Sequence, residues 1–460
     1  MNVVNMLLGA SLALHLRKRT RHLAVFVGCF IIQSLCAASP GAKIALIGAD
    51  PSGSADGSVP AWSGGLERRA KNAQKHHDNP YASEKPLLTI DANNYRKHQD
   101  RLTPGLIALL HTYPESFKIP VYPSHRSASY PDWFYQNIEN IDTPPSLAAN
   151  GNGIDNAIAG FNFPHPENGL EAIWNHLTRW RGRYMVRNLS EAIVYANGDK
   201  KLSKLRQEVA YELFREGAET NNDRQVLLHY ASFITAPANL AGGALLAIDY
   251  LNQHQNPRQT WSYDAGQRRI KRLPYVTYDG PAVMAESLRT ADDTDMYNGS
   301  PDHYDWQLRG KRIIYIPYNS YRSSSPDISY DTLLSPHHIN PEVMRFEAHR
   351  VWVLEANLKP EMHHIYPKRV FYLDEDSWSI AIADQYDRQG KIWRVSMALL
   401  KNYYEIPMTF SSADVFHDLK SKNYHVGGMT NEERSSGEFL DTLPPPNHFT
   451  PGALRARVRR

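Results

Sequence analysis

Clustered carboxylates and paired histidines are the side chains of this 460-residue sequence that are chemically suited to a catalytic or metal site. The acids form short runs at residues 292–295 and 374–376, and adjacent histidines occur at 76–77, 337–338 and 363–364. Two carboxylates at the right separation hydrolyse glycosides, and histidines together with acids bind divalent metals. The linear sequence leaves a carboxylate pair open, because the separation of the two groups is three-dimensional.

The context of these residues favours structural roles. Adjacent residues of a strand point to opposite faces, so a histidine pair does not readily share one metal ion. The run at 292–295 is typical of a helix cap or a solvated segment, and the run at 374–376 lies in a predicted surface turn. A G-x-S-x-G nucleophile elbow, an H-E-x-x-H motif and a glycine-rich phosphate loop are absent from the sequence. We therefore predict no catalytic residue, no metal site and no cofactor.

The first 38 residues have the pattern of a cleaved signal peptide. A basic block at Arg17–Arg21 precedes an apolar run, Leu23–Leu35, that is too short to span a bilayer, and small residues follow at 37 and 38. Cleavage there would remove both cysteines, which excludes disulfides and thiol chemistry from the mature chain. We predict export to the periplasm; an uncleaved membrane anchor is the alternative.

Charge in the mature chain bears on the class of partner. Loss of the four Lys and Arg residues before position 39 would reduce the total of 51 to 47, against 48 acidic residues. A nucleic-acid-binding protein needs a basic surface, so this near-neutral balance argues against a nucleic-acid partner.

The rest of the sequence predicts an α+β fold dominated by strands. Between Met344 and Pro407, four runs rich in β-branched and aromatic residues are separated by turn segments, which predicts a meander of antiparallel strands. Val226–Leu251 predicts two buried strands, and Thr260–Pro274 predicts a hairpin. Trp306–Tyr318 indicates a further hairpin, with its turn at Arg309–Lys311.

Helices are predicted where apolar residues recur at helical spacing, at Leu102–Tyr113, Asn168–Arg181 and Ser203–Glu216. The first two begin with Thr103 and Asn168 as capping residues. His176 and Arg179 lie off the apolar face of the second helix, and we expect both in solvent.

Domain organisation follows from composition. Residues 39–85 are dense in Gly, Ser, Asp and Pro and predict an extended lead-in, which we expect burial of Trp62 to fix to the body. Residues 86–460 then form a single domain with helical insertions and a basic C-terminal tail.

Several long strings together resemble one bacterial family, called domain of unknown function 1329. The resemblance rests on SADGSVPAWSGGL, NGLEAIWNHLTRWRG, SLRTADDTDMYNGSPDHYDWQLRGKR, IPYNSYR, RFEAHRVWVLEANLKP and KRVFYLDEDSWSIAIADQYD. It extends through nearly the whole chain after the signal and implies a fold of the LolA/LolB type. That fold is an incomplete antiparallel β-barrel, a curved sheet closed by helices around an apolar cavity. The family supplies no catalytic residues to carry over.

These observations favour a periplasmic carrier or binding protein for a hydrophobic or lipid-like ligand, without catalysis. A curved sheet with one apolar face forms a natural cavity for such a ligand. We expect aromatic residues to line it: Trp261, Tyr263, Tyr315, Trp352, Trp378 and Trp393. Two alternatives stay open: an accessory subunit that docks to an inner-membrane exporter or an outer-membrane partner, and a hydrolase that uses a carboxylate pair.

Overall fold

The computed structural model describes residues 40–215, 226–273 and 278–458, and one large sheet dominates this part of the chain. Its strands and those of a small separate ribbon are, in chain order, β1 (Leu88–Ile90), β2 (Ile119–Val121), β3 (Ser146–Leu147), β4 (Ile154–Asp155), β5 (Tyr184–Val194), β6 (Lys200–Tyr211), β7 (Val226–Ala236), β8 (Ala244–Tyr250), β9 (Gln259–Asp264), β10 (Arg269–Arg272), β11 (Tyr304–Pro317), β12 (Phe346–Leu358), β13 (Lys368–Asp374), β14 (Ile380–Tyr386), β15 (Ile392–Asn402), β16 (Thr409–Asp418), β17 (Tyr424–Met429) and β18 (Glu438–Leu440).

The α-helices of the described residues are short: α1 (Pro40–Leu46), α2 (Pro104–Thr112), α3 (Asp132–Glu139), α4 (Gly169–Thr178), α5 (Tyr330–Leu333) and α6 (Pro451–Val458). Short 3-10 helices occupy Tyr95–Arg101, Glu212–Phe214, Ala291–Asp293, Pro301–His303, Arg322–Ser324, Pro341–Val343 and Pro446–Phe449. Within the described ranges, no helix is both long enough and apolar enough to cross a membrane. The predicted signal peptide lies outside the described residues.

The main sheet has the strand order β1-β2-β12-β13-β14-β15-β16-β17-β5-β6-β7-β8-β9-β10. In addition, β11 pairs with β12 and β18 pairs with β5. Neighbours are antiparallel except for one parallel bridge between β2 and β12. The two ends of this order, β1 and β10, do not pair with each other among the described strands, so the sheet does not close into a barrel.

The predicted meander is confirmed as β12 to β15, four consecutive antiparallel strands. Val226–Leu251 forms the strand pair β7 and β8, and the hairpin predicted after Thr260 is β9 and β10. Each of these strand pairs was predicted correctly because turn residues and runs of β-branched and aromatic residues favour turns and strands through local interactions.

Two predicted helices begin at their expected capping residues. The Thr103 hydroxyl accepts a hydrogen bond from the Leu106 amide at the start of α2, and the Asn168 carboxamide accepts one from the Glu171 amide at the start of α4. The helix α2 packs against β14 and β15, and α4 packs against β11 and β12. Their apolar faces join the sheet in the main hydrophobic core.

The predicted helix at Ser203–Glu216 is wrong, because residues 203–211 form most of β6; Glu216 lies outside the described residues. Leu205, Val209 and Leu213 recur every four residues, and that spacing places residues on one side of a strand as well as of a helix. The pairing of β6 with β5 on one side and β7 on the other decides the outcome.

The predicted hairpin at Trp306–Tyr318 is also wrong. All of these residues except Tyr318 lie in the single strand β11, and both halves of the strand pair with β12. The expected turn at Arg309–Lys311 is instead a bulge, where the register shifts between Leu308 and Lys311 and Gly310 adopts a φ of 87°. A positive φ is available to glycine without steric cost, so the strand continues past the irregularity.

The segment before β1 is fixed to the body through buried tryptophans. Trp62 is 6% exposed, and its indole N–H donates to the Ala128 carbonyl at 3.0 Å. The Trp378 indole donates to the Ile47 carbonyl at 3.0 Å. The expectation that Trp62 holds this segment is confirmed.

Candidate ligand-binding cavity

A cavity with a volume of about 450 Å³ lies against one face of the sheet. Its wall draws on seven neighbouring strands, β16, β17 and β5 to β9. Strands lie about 4.8 Å apart, so a flat sheet of seven would be about 30 Å wide. A single cavity of this volume contacts all seven strands because the sheet curves around it.

Successive side chains of a strand point to opposite faces of the sheet, and the side chains on one face line the cavity. On β5 the lining residues are Met185, Arg187, Leu189 and Glu191, every second residue, as a pleated strand requires. Residues of the other alternation point away; Ala231, Leu246 and Tyr263 pack with Phe449 and Leu454 near α6 in a separate small core. The sheet around the cavity is therefore covered on both faces.

Cross-strand pairs of lining residues form two apolar rows on the cavity face. The first row contains Leu189, Leu205 and Ile234 of β5, β6 and β7. The second contains Met185, Val209, Tyr230 and Ala247 of β5 to β8. These rows supply continuous apolar surface, and burying such surface contributes about 25 cal/mol per Å².

The cavity is covered by a segment that has no α-helix. We call residues 281–298 the cover. The cover residues that line the cavity are Pro281, Ala282, Val283, Arg289, Ala291, Thr294, Asp295 and Asn298. The family resemblance implied helices that close the cavity; among the described residues that line it, none lies in an α-helix.

Buried acids hold one side of the cover to the sheet. Both carboxylate oxygens of Asp292 accept from Arg369 of β13, at 2.9 and 3.0 Å. Asp293 accepts from the Tyr366 hydroxyl at 3.1 Å and caps the 3-10 turn that begins after Thr290. Burial alone would raise the pKa of Asp292, but Arg369 and His364 hold that pKa well below its ordinary value. Of the two roles expected for this acidic run, a helix cap and a solvated segment, Asp293 has the first, on a 3-10 helix, and neither Asp292 nor Asp293 is solvated.

Asp295 fixes the other side of the cover to the end of α4. It forms ion pairs with Arg179 and with Arg181, the latter at 2.6 Å. The His176 ring lies 3.0 Å from the Asp295 carbonyl and 3.2 Å from the Trp378 carbonyl. Burial lowers the pKa of His176 to about 3, so its imidazole is neutral. The expectation that His176 and Arg179 are in solvent is wrong, because the cover and the 377–379 turn pack on that side of α4.

A second buried ionic cluster lies away from the cavity, around the turn after β13. Asp374, Glu375 and Asp376 are at most 1% exposed, so their assignment to a surface turn is wrong. Arg126 donates to both oxygens of Asp376 at 2.6 and 2.8 Å, and Arg350 donates to Glu375 at 2.5 Å. Partners distant in sequence make this burial possible.

His349, Asp374 and Asp376 place ligand atoms within 4.8 Å of one another, a spacing that metal sites also show. Two observations favour an ion-pair cluster instead. Arg126 already binds Asp376 through two hydrogen bonds. Burial alone would lower the pKa of His349, but hydrogen bonds and charges from Asp374 and Glu347 raise it to about 9, and a protonated imidazole does not ligate a metal.

The six aromatic residues predicted to line the cavity are dispersed. Tyr263 borders it, although its side chain belongs to the small core near α6, which Trp261 also contacts. Tyr315, Trp352 and Trp378 belong to the main core, where the last two stack with ring centroids 5.9 Å apart. Trp393 lies beside Arg394 and Lys420. The structure therefore brings only Tyr263, among the described members of this set, to the cavity.

The polar residues of the cavity wall were not identified from the sequence. Arg187, Gln207 and Asp414 line it from β5, β6 and β16. The alternation of YMVRNLSE in β5 was an available signal, because Met185 and Leu189 share a strand face with Arg187. Gln207 was not identified because the segment Ser203–Glu216 was predicted to be a helix, which hides the strand face that Gln207 shares. Asp414 gave no signal, because its neighbourhood depends on the pairing of β16 with β17.

Comparisons with known proteins place the sequence in context. It matches the profile of a family described as protein of unknown function (DUF1329) over residues 89–455. It is also 43% identical to the uncharacterized protein PA3922 of Pseudomonas aeruginosa over 421 residues, which cover 91% of this chain and 92% of that protein.

Two solved structures show partial likeness. A domain from Vibrio parahaemolyticus, provisionally described as an outer membrane lipoprotein-sorting protein, is 14% identical with a TM-score of 0.43, covering 62% of this chain and 98% of that one. The LolA superfamily protein NE2245 of Nitrosomonas europaea is 15% identical with a TM-score of 0.37, covering 62% and 99%.

Proposed function

The chain belongs to the DUF1329 family, and from that premise and the cavity we propose that it is a periplasmic carrier or binding protein for a hydrophobic or lipid-like ligand. The observation that carries the proposal is a partly enclosed cavity of about 450 Å³ with two apolar rows along its wall. This volume is at the lower end of the range of small-molecule sites, about 300–1,000 Å³. Binding of this kind needs no bond-making step, and we propose none.

The cellular part of the proposal comes from the sequence. Residues 1–38 direct export and are removed, residues 39–85 form the lead-in, and residues 86–460 form the binding domain. The cover takes the closing role that the sequence assigned to helices. A carrier must load and release its ligand, so the proposal includes docking to an inner-membrane exporter or an outer-membrane partner.

A cavity-filling substitution tests ligand binding. Ala247 lies in the second apolar row, and we expect Ala247→Trp to reduce uptake of the neutral fluorophore N-phenyl-1-naphthylamine at least about 10-fold, because the indole occupies the space that the probe needs. Uptake is measured as fluorescence increase with protein freed of bound lipid, and lipid extracts of the untreated protein are analysed by mass spectrometry.

Ala82→Trp is the matched control, because Ala82 is exposed and outside the cavity lining. It should bind the fluorophore like the unmodified protein, and thermal unfolding of both variants verifies that each is folded. Absence of fluorophore uptake and of co-purified lipid in the unmodified protein would contradict the proposal, as would equal uptake by the two folded variants.

A further inference from the structure

One cross-strand row of the cavity face is polar except for Leu245 and lies between the two apolar rows. Register places Arg187 opposite Gln207, Gln207 opposite Ser232, and Ser232 opposite Leu245, which is opposite Ser262. All five residues line the cavity. Polar side chains in a mostly apolar site fix the orientation of a ligand, so this row indicates a headgroup position.

The hydrogen bonds within this row leave donors free for a ligand. Arg187 Nε donates to Gln207 Oε1 at 2.6 Å, and Gln207 Nε2 donates to the Tyr230 hydroxyl at 3.2 Å. The Tyr230 hydrogen and the terminal guanidinium nitrogens of Arg187 remain. Within the part of the chain that the structure describes, the hydroxyls of Ser232 and Ser262 make no hydrogen bond to protein.

Arg187 differs in its charge environment from the other arginines that line the cavity. Arg181 pairs with Asp295 at 2.6 Å, Arg258 pairs with Asp249 at 2.9 Å, and Arg289 lies 3.9 Å from Glu191. Within the described residues, no carboxylate lies within 4.0 Å of Arg187, whose guanidinium rests 5.5 Å from the centre of the Phe410 ring. A half-buried guanidinium that forms no ion pair with the protein favours pairing with an anionic ligand.

Two acids of the cavity wall, Glu191 and Asp414, interact electrostatically with Arg187. The Oδ1 atom of Asp414 is buried and has no hydrogen-bond partner in the described structure. Burial raises its pKa to about 6, while Arg187 and Arg289 act in the opposite direction. A carboxyl group with this pKa carries a proton during part of its time near neutral pH, and then donates rather than repels.

We propose that the cavity binds an anionic single-chain amphiphile, whose carboxylate or phosphate headgroup pairs with Arg187 and accepts hydrogen bonds from Gln207, from Ser232 and from the Tyr230 hydroxyl of the adjacent row. The chain of the ligand lies along Leu189, Leu205 and Ile234. An arginine suits both headgroups, because its planar guanidinium pairs with carboxylate and phosphate oxygens alike. This inference rests on the proposed function and adds the ligand class to it.

Displacement of N-phenyl-1-naphthylamine tests the headgroup. The competitors are laurate, lauryl phosphate and methyl laurate, all below their micellar concentrations. The unmodified protein should bind one of the two anions at least about 10-fold more tightly than the ester, in line with a charge-assisted hydrogen bond. Arg187→Gln should remove that preference and change the affinity for methyl laurate less than about two-fold. Arg388→Gln, at an exposed turn position, should preserve it.

The outcomes separate this inference from the function on which it rests. Stronger binding of lauryl phosphate identifies a phosphate headgroup, and stronger binding of laurate identifies a carboxylate; either supports the inference. Equal affinity of acid and ester for the unmodified protein, or a preference that survives Arg187→Gln, overturns the headgroup assignment while fluorophore uptake maintains the binding function. No fluorophore uptake by the unmodified protein overturns both.

Discussion

Replacing Arg369 by leucine should lower the free energy of unfolding by about 3–5 kcal/mol, the range found when one partner of a buried ion pair is removed. Arg369 donates to both carboxylate oxygens of Asp292, and both residues are at most 1% exposed. Without the guanidinium, a buried carboxylate loses its counter-charge. Urea unfolding followed by tryptophan fluorescence measures the change.

The same substitution should reduce fluorophore uptake, because Asp292 holds the cover to β13. Arg309→Leu is the matched control: Arg309 also pairs with a carboxylate, Glu355 at 3.1 Å, but its side chain is 52% exposed. Exposed pairs contribute about 0–1 kcal/mol, so its loss should be small. Replacing Arg369 and Asp292 together by leucine should cost less than Arg369→Leu alone. Equal losses for Arg369→Leu and Arg309→Leu would contradict the anchoring role of the buried pair.

Stability should decline between about pH 6.5 and pH 9 through deprotonation of His349. Its ring lies 3.3 Å from Glu347 Oε2 and 3.5 Å from Asp374 Oδ1. Burial opposes the charge on the ring, but these carboxylates raise the pKa of His349 to about 9 in the folded protein. A pKa above the unfolded value of about 6.5 stabilises the fold fully below pH 6.5, and that contribution is lost as pH rises through 9.

The size of this effect has an upper bound of about 3.5 kcal/mol, because one pKa unit corresponds to about 1.4 kcal/mol. His349→Gln should therefore lower the free energy of unfolding at pH 6 and show a smaller decline between pH 6.5 and 9.5. The difference in the free energy of unfolding between the variant and the unmodified protein at each pH cancels the contributions of other groups that titrate in this range. Among them are Asp384 and Lys401, whose pKa values are both shifted by burial to about 7.

His165→Gln, at an exposed loop position, is the control and should follow the unmodified protein over this pH range. A direct measurement is the proton NMR titration of the histidine rings. An NMR pKa for His349 at or below 6.5 would contradict the assignment of an imidazolium between two carboxylates.

Local signals in the sequence predicted much of the fold. Thr103 and Asn168 start their helices because a capping side chain satisfies a free amide within its own turn. The strands β7 to β10 and β12 to β15 follow runs and turns only a few residues long. The spacing of Leu205 and Val209 fits both a helix and a strand. Local signals cannot distinguish the two, because strand pairing with distant residues determines which one forms.

By itself, then, the sequence determined the family, the antiparallel meander, the capped helices and the fixation of the lead-in by Trp62. Tertiary structure alone decided that the acids at 292–295 and 374–376 are buried, which strand faces line the cavity, and what covers it. The physical reason is that burial of a charged carboxylate is costly unless a cation or hydrogen-bond donors compensate it, and partners such as Arg369 for Asp292 meet only when distant segments fold together.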